Sequence, residues 1–168
     1  EDVEDIDDEE ILTFDKRTNN IVDNILKTHP RKTFKKEYNA ILATSSIDMA
    51  MKYYDAFKEH PHDLNIATIF SYSPNDESTS EKELQRDKLE RCISDYNAIF
   101  STNYSTDYYE DYFADLTKKF KNREIDLLIV VNMFLTGFDS VYLNTLYVDK
   151  HLQYHNLIQA FSRTNRIH

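Results

Sequence analysis

A chain of 168 residues, 40% hydrophobic and 30% charged, is long enough to bury one core and has the balance of a single globular domain. No apolar run approaches the ~20 residues of a membrane-spanning helix, and the opening EDVEDIDDEE is acidic where a secretory leader would be basic. The single cysteine, Cys92, excludes an internal disulfide and a cysteine-rich zinc site, and an intracellular setting is expected. The net charge of −10 is local: eight of the 30 acids fall in the first ten residues, and the 22 that remain face 20 bases. Bulk charge is therefore no argument for nucleic-acid binding and only a weak one against it, so any such contact has to be local.

Residues 1–16 read as a solvated acidic tail or linker, with the domain proper over 17–168. From Arg17, sparse apolar residues predict a helix up to Lys27, closed near Thr28, His29 and Pro30 and followed by the basic stretch RKTFKK. YNAILAT then has the length of a strand and ends in the hydroxyl cluster Thr44, Ser45 and Ser46. In SIDMAMKYYDAFKEH, residues Ile47, Ala50, Met51, Tyr54 and Phe57 share one helical face, with Ser45 or Ser46 placed as N-cap. A strand, a tight turn and an amphipathic helix make the first half of a βαβ unit.

LNIATIFSYS predicts a second strand, and two helical patterns, 81–100 and 104–122, form a helical insert over about 81–122. The tyrosines of NYSTDYYEDYF are expected to pack this insert or to offer a docking surface; the acidic surroundings argue against a base-stacking platform. DLLIVVN is apolar at five consecutive positions, as parallel strands covered on both faces tend to be. NTLYVDK reads as another short strand, and a last helix starts near Gln153. Strands alternating with helices predict an α/β fold with a mainly parallel sheet. Ligands of such sheets gather at the carboxyl ends of strands, where Thr44–Ser46, Asn132–Asp139 and Asp149–Lys150 fall.

Gly137 is the sole glycine of the chain and follows the most apolar strand, in VVNMFLTGFDS. It suits a left-handed residue or a close approach of backbone to ligand, and a plain turn remains open. Asp139 either caps the next segment or binds a ribose hydroxyl. Near the end, HNLIQAFSRTNRIH spaces Gln159, Arg163 and Arg166 by four and three, one stripe of a helix, with Leu157, Ile158 and Phe161 opposite. Such a stripe is either a solvated face or a grip on an anion. His151 and His155, and the cluster His60-Pro61-His62-Asp63, lack the further ligands that zinc requires, so no metal site is expected.

Taken in order, hydroxyls at a strand end, a strand leading to G-x-D, and Q-x-x-x-R-x-x-R resemble motifs IV, V and VI of superfamily 2 helicases. VNMFLTGFDS followed by HNLIQAFSRTNR is similar to the motor (R) subunit of type I restriction–modification enzymes, tightly over 126–168 and in layout over 38–125. The acidic head shows no resemblance. What the resemblance implies is the second of two RecA-like lobes, a parallel sheet flanked by helices without its own P-loop.

By that resemblance Arg163 and Arg166 reach the γ-phosphate as catalytic residues, and Gln159 links nucleotide to the lobe interface. Gly137 and Asp139 couple nucleotide to the DNA track; Thr44, Ser45, Ser46 and Asn132 are candidates for DNA phosphate, with helix capping the alternative for the serines. Ser162 stands where many members have glycine, and serine is tolerable in a helix. With one glycine the chain cannot build a Walker A loop, and DDEE lacks the apolar strand of a Walker B pair. ATP and Mg²⁺ would be held mainly by an upstream first lobe, which follows a nuclease domain. Implied partners are double-stranded DNA and modification (methyltransferase) and specificity subunits, in a prokaryotic cytoplasm and without a membrane. The chain is expected to be a C-terminally truncated fragment, inactive alone. The alternatives are the second lobe of another superfamily 2 motor (a type III restriction subunit or a repair helicase) and a non-catalytic α/β interaction module.

Overall fold

The computed structural model describes residues 2–71, 79–131 and 140–149. The elements run α1 (Asp2–Lys32), β1 (Asn39–Thr44), α2 (Ile47–Glu59), β2 (Ile66–Ile69), α3 (Thr79–Phe100), a short 3-10 turn (Thr106–Tyr108), α4 (Tyr109–Lys121), β3 (Leu127–Val131) and β4 (Leu143–Val148). The four strands form one parallel sheet in the order β2-β3-β1-β4. This is the expected α/β fold: a parallel sheet flanked by helices, consistent with a RecA-like lobe.

β1 lies inside the sheet and is buried at every position, and β3 is buried up to its last residue. Both faces are covered, which is why these strands read as unbroken apolar runs rather than alternations. Leu42 faces Ile25 of α1 and Tyr53 of α2 across one cleft, whereas the Asn39 side chain reaches α4 by donating to the Phe120 carbonyl at 2.7 Å. Alternation along the strand thus puts α1 and α2 on one face and the end of α4 on the other. α3 packs beside α2, with the Cys92 sulfur 3.6 Å from that of Met51.

Two expectations are corrected. The helix does not start near Arg17: helical backbone begins at Asp2 and is continuous through the stretch read as a tail. Acidic residues crowd that N-terminus, where the helix dipole favours them. Nor does it close before Pro30. The helix continues to Lys32, because proline withholds only one donor and the loop returns others. Thr33 N–H bonds the His29 carbonyl at 2.9 Å, its hydroxyl bonds the same oxygen at 2.8 Å, and Lys35 N–H bonds the Pro30 carbonyl at 2.7 Å.

The helical insert is no appendage. Leu89, Ile93, Tyr96, Tyr112, Leu116 and Phe120 join the single core. The Tyr112 hydroxyl donates to the Thr68 carbonyl at 2.8 Å, and its ring meets Tyr96 edge-on at 5.0 Å. Tyr112, one of the tyrosines of NYSTDYYEDYF, thus packs, as one of the two sequence readings has it.

His29 pins α1 to the amino end of β3. It is fully buried, with Nε2 3.3 Å from the Asp126 carbonyl, which makes Nε2 the protonated nitrogen. Burial holds its pKa below the ordinary 6.5, although Asp126 pulls the other way. Above 6.5 the residue is neutral folded or unfolded and its contribution is intact; below it the unfolded chain takes the proton first. Stability should therefore fall as pH drops from 6.5 through the lowered native value. Urea unfolding on either side of that pH tests this: His29→Gln should show a smaller pH-dependent loss than wild type.

Candidate functional site at the carboxyl edge of the sheet

Parallel pairing sets three strand ends side by side. Thr44 of β1 is the register partner of Val131 in β3, and Ala43 that of Val148 in β4. Asp149 N–H extends the ladder by bonding the Ala43 carbonyl at 3.0 Å. The chain leaves β3 at Val131 toward Asn132, Gly137 and Asp139, and leaves β4 at Asp149 toward Gln159, Arg163 and Arg166. Those six residues lie outside the described residues. What the geometry establishes is that β1, β3 and β4 end together, at one edge.

The β1 end carries the hydroxyl cluster, and its three members differ. Thr44 is fully buried and its hydroxyl donates to the Val130 carbonyl at 2.9 Å, so it pins β1 to β3 instead of facing outward. Ser45 is half-buried. Ser46 is exposed and is the N-cap of α2: its backbone is extended (φ −152°, ψ 165°) and its Oγ accepts from Met49 N–H at 3.2 Å. Capping, one of the two readings of this serine, is therefore realised, and it satisfies one of the four free donors of the helix end. Asp48, in the same first turn, is paired with Lys88 at 2.7 Å.

The β4 end carries an arrangement that sequence reasoning missed. Asp149 is buried, accepts from the Tyr53 hydroxyl of α2 at 2.9 Å and lies 4.0 Å from the Arg17 guanidinium of α1. Burial, reinforced by the Asp149 carboxylate, pushes the Tyr53 phenol well above its ordinary value, so it stays a donor. Arg17, Ile25, Leu42, Tyr53, Tyr147 and Asp149 line a cleft of about 310 Å³ between α1, α2 and β4. The signal available in sequence was an aspartate directly after an apolar strand; its two partners are too distant in the chain to be read.

Among the described residues no group of three or more His, Cys, Asp or Glu could hold a metal. His60 Nδ1 meets the Ala56 carbonyl at 2.7 Å, and His62 Nδ1 accepts from Leu64 N–H at 3.1 Å while its ring meets Phe57 edge-on. Both have local structural work. Burial pushes the Cys92 thiol up to about 12, which leaves it an inert core group.

Comparison with known proteins bears on the same residues. The family model of type I restriction enzyme subunit R domain 3 matches residues 36–168. The type I restriction enzyme SauCOLORF180P endonuclease subunit of Staphylococcus aureus (strain COL) is 48% identical over 177 residues, 98% of this chain and 19% of that protein. The SsaAORF53P endonuclease subunit of Staphylococcus saprophyticus is 48% identical over 176 residues, with the same coverage of 98% and 19%. The putative MjaIXP endonuclease subunit of Methanocaldococcus jannaschii is 49% identical over 55 residues, 32% of this chain and 5% of that protein. The chain thus spans about a fifth of the length of its staphylococcal relatives. With its motif-bearing segments inside the matched region and its identity to the staphylococcal relatives running almost end to end, the chain belongs to the type I restriction enzyme R subunit family, as its domain 3.

Proposed function

We propose that this chain is the second RecA-like lobe of the motor of a type I restriction endonuclease, completing an ATP site across from an upstream P-loop lobe and driving translocation of double-stranded DNA before cleavage. The observation that carries the reading is the common edge of β3, β1 and β4. Two of those strands deliver the G-x-D and Q-x-x-x-R-x-x-R segments. In a parallel sheet this is the edge at which ligands bind.

The chemistry of the donor set fits a nucleotide's phosphates. Arg163 and Arg166 carry planar, permanently charged forks suited to phosphate oxygens, and Gln159 adds an amide on the same stripe. Arg163 and Arg166 would hold the γ-phosphate from this lobe, Gln159 would bridge nucleotide and lobe interface, and Gly137 and Asp139 would connect the nucleotide to the DNA track. ATP, when bound, supplies the phosphoryl group transferred to water. Mg²⁺ is assigned to the upstream lobe. Phosphoryl transfer depends on positioning and charge stabilisation, so the lobe acts by bringing its arginines to the phosphate as the two lobes close.

DNA contact is assigned to Ser45, Ser46 and Asn132 and to the N-terminus of α2, through the sugar-phosphate backbone and without base readout. Thr44, committed to β3, holds that turn in place. The upstream nuclease domain and the modification and specificity subunits are the proposed partners, in a cytoplasmic prokaryotic complex.

In the full-length subunit assembled with its partners, Arg163→Ala should lower DNA-stimulated ATP turnover by about 100-fold or more, within the range an inserted arginine contributes. An unchanged rate in a folded variant sinks the assignment. The 168-residue chain by itself should turn over no ATP, and clear turnover would overturn the two-lobe arrangement. Ser46→Gly separates the two roles of that serine. Glycine is a tolerable cap, costing only a few tenths of a kcal/mol. Removal of a phosphate-binding hydroxyl would instead weaken duplex binding and reduce its salt slope by about 1. A change in neither would leave Ser46 a cap alone.

A further inference from the structure

The cations of this lobe are paired unevenly. On the helix faces they meet carboxylates: Lys52 with Asp15, Lys88 with Asp48, Arg91 with Asp55, Arg86 with Asp107. At the amino edge of the sheet, opposite the motif-bearing edge, Lys36 pairs with Asp63 and Asp126 and Lys119 with Asp115, but six other cations do not. Arg31, Lys32, Lys35, Lys118, Lys121 and Arg123 are all exposed, and none pairs with a carboxylate among the described residues. Away from that edge Lys16 of α1 is likewise exposed.

Helix dipoles account for part of this, since Arg31 and Lys32 end α1, and Lys118 and Lys121 end α4. They do not account for Lys35 and Arg123, which lie beyond the helix ends in left-handed backbone (φ 56° and 64°), positions that glycine or asparagine would fill without strain. The turn that presents Lys35 is fixed by Lys35 N–H to the Pro30 carbonyl and Tyr38 N–H to the Thr33 carbonyl, at 2.7 and 3.0 Å. Two of the six cations are held in place without a carboxylate. Arg123 stacks over Tyr142 at 4.4 Å with Nη1 donating to the Glu37 carbonyl, and Lys32 lies over Tyr147 at 4.9 Å. Phe34, 61% exposed, stands among them. The exposed acids nearby, Glu37 and Glu124, leave a clear cationic excess, and Asp63 is already paired with Lys36.

We propose that the amino edge of the sheet is a second docking surface for the sugar-phosphate backbone of duplex DNA, separate from the contact assigned at the carboxyl edge. The surface is an open array of charges with a single exposed ring, which suits closely spaced phosphates and not stacked bases. The proposal rests on duplex DNA being the substrate, as read above.

The test uses the full-length subunit, a short duplex of arbitrary sequence and no nucleotide, with affinity followed over a salt series. Combined Arg31→Glu, Lys35→Glu and Arg123→Glu should weaken binding about tenfold or more and reduce the slope of log K against log[salt] by about 0.9 for each phosphate no longer neutralised. Combined Lys35→Gln and Arg123→Gln, a milder change at exposed sites, should give a smaller shift in the same direction. The control is Lys52→Glu with Arg91→Glu, paired cations elsewhere, which should leave the slope near wild type. Equal effects in edge and control variants, or no effect at the edge, overturn the proposal. So does intact DNA binding together with failed assembly with the modification subunit, which would make the edge a seat for an acidic protein surface. Because ATP is absent, failure of the Arg163 assignment leaves this result untouched; a wild type that ignores duplex DNA would remove both readings.

Discussion

The lobe depends on one strand being paired on both sides and dry on both faces. β1 has β3 and β4 as parallel neighbours, so its backbone groups are spent in the ladder, and every side chain from Asn39 to Thr44 is buried. A buried polar group without a partner costs about 1–3 kcal/mol, so the ends of such a strand have to be closed by specific groups. At the amino end the Asn39 amide donates to the Phe120 carbonyl and thereby meets the last turn of α4. In the same layer Asp126 receives Asn65 N–H at 2.8 Å and lies 3.5 Å from the Lys36 ammonium. At the carboxyl end the Thr44 hydroxyl closes on β3, and Asp149 N–H closes on Ala43. The loops are arranged by what the ends of β1 require.

α1 measures the sheet from edge to edge. Arg17 lies beside Asp149 at the carboxyl edge, and His29 beside the Asp126 carbonyl at the amino edge. Twelve residues of helix cover ~18 Å, and a six-residue strand such as β1 covers ~20 Å. The lengths match, so the helix lies along the strands and is anchored at both ends by polar contacts. Between them Val22 and Ile25 supply the apolar contact.

Much of this was legible in the sequence, for identifiable reasons. β1 and β3 are runs whose composition follows from burial, and α2 shows its period and its cap within two residues of the observed bounds. Pro30 misled because a proline in the final turn withholds one bond while later donors still reach the exposed carbonyls. Thr44 and Ser46 look alike in sequence, yet one hydroxyl is taken by β3 and the other by its own helix; only strand register decides that. The Arg17–Asp149–Tyr53 cluster was illegible because its members are far apart, Tyr53 and Asp149 by 96 residues, and no local pattern links them. The grip assigned to Gln159, Arg163 and Arg166 rests on sequence alone.

In the reading proposed above the lobe has to move as one body: any work done by closure on a nucleotide at one edge would reach a load elsewhere only if the material between does not yield. The described core meets that demand. Its centre is apolar, its two inner strands are fully paired, and its charged groups are confined to the strand ends and the helix faces. Packed interiors of this sort shift between discrete arrangements instead of deforming gradually. If the carboxyl edge meets nucleotide and the amino edge meets DNA, the parallel strands are the rigid connection between them. On that arrangement, separation of the two charge environments is a mechanical requirement. A cation placed midway would need a buried partner and would weaken the packing that carries the displacement.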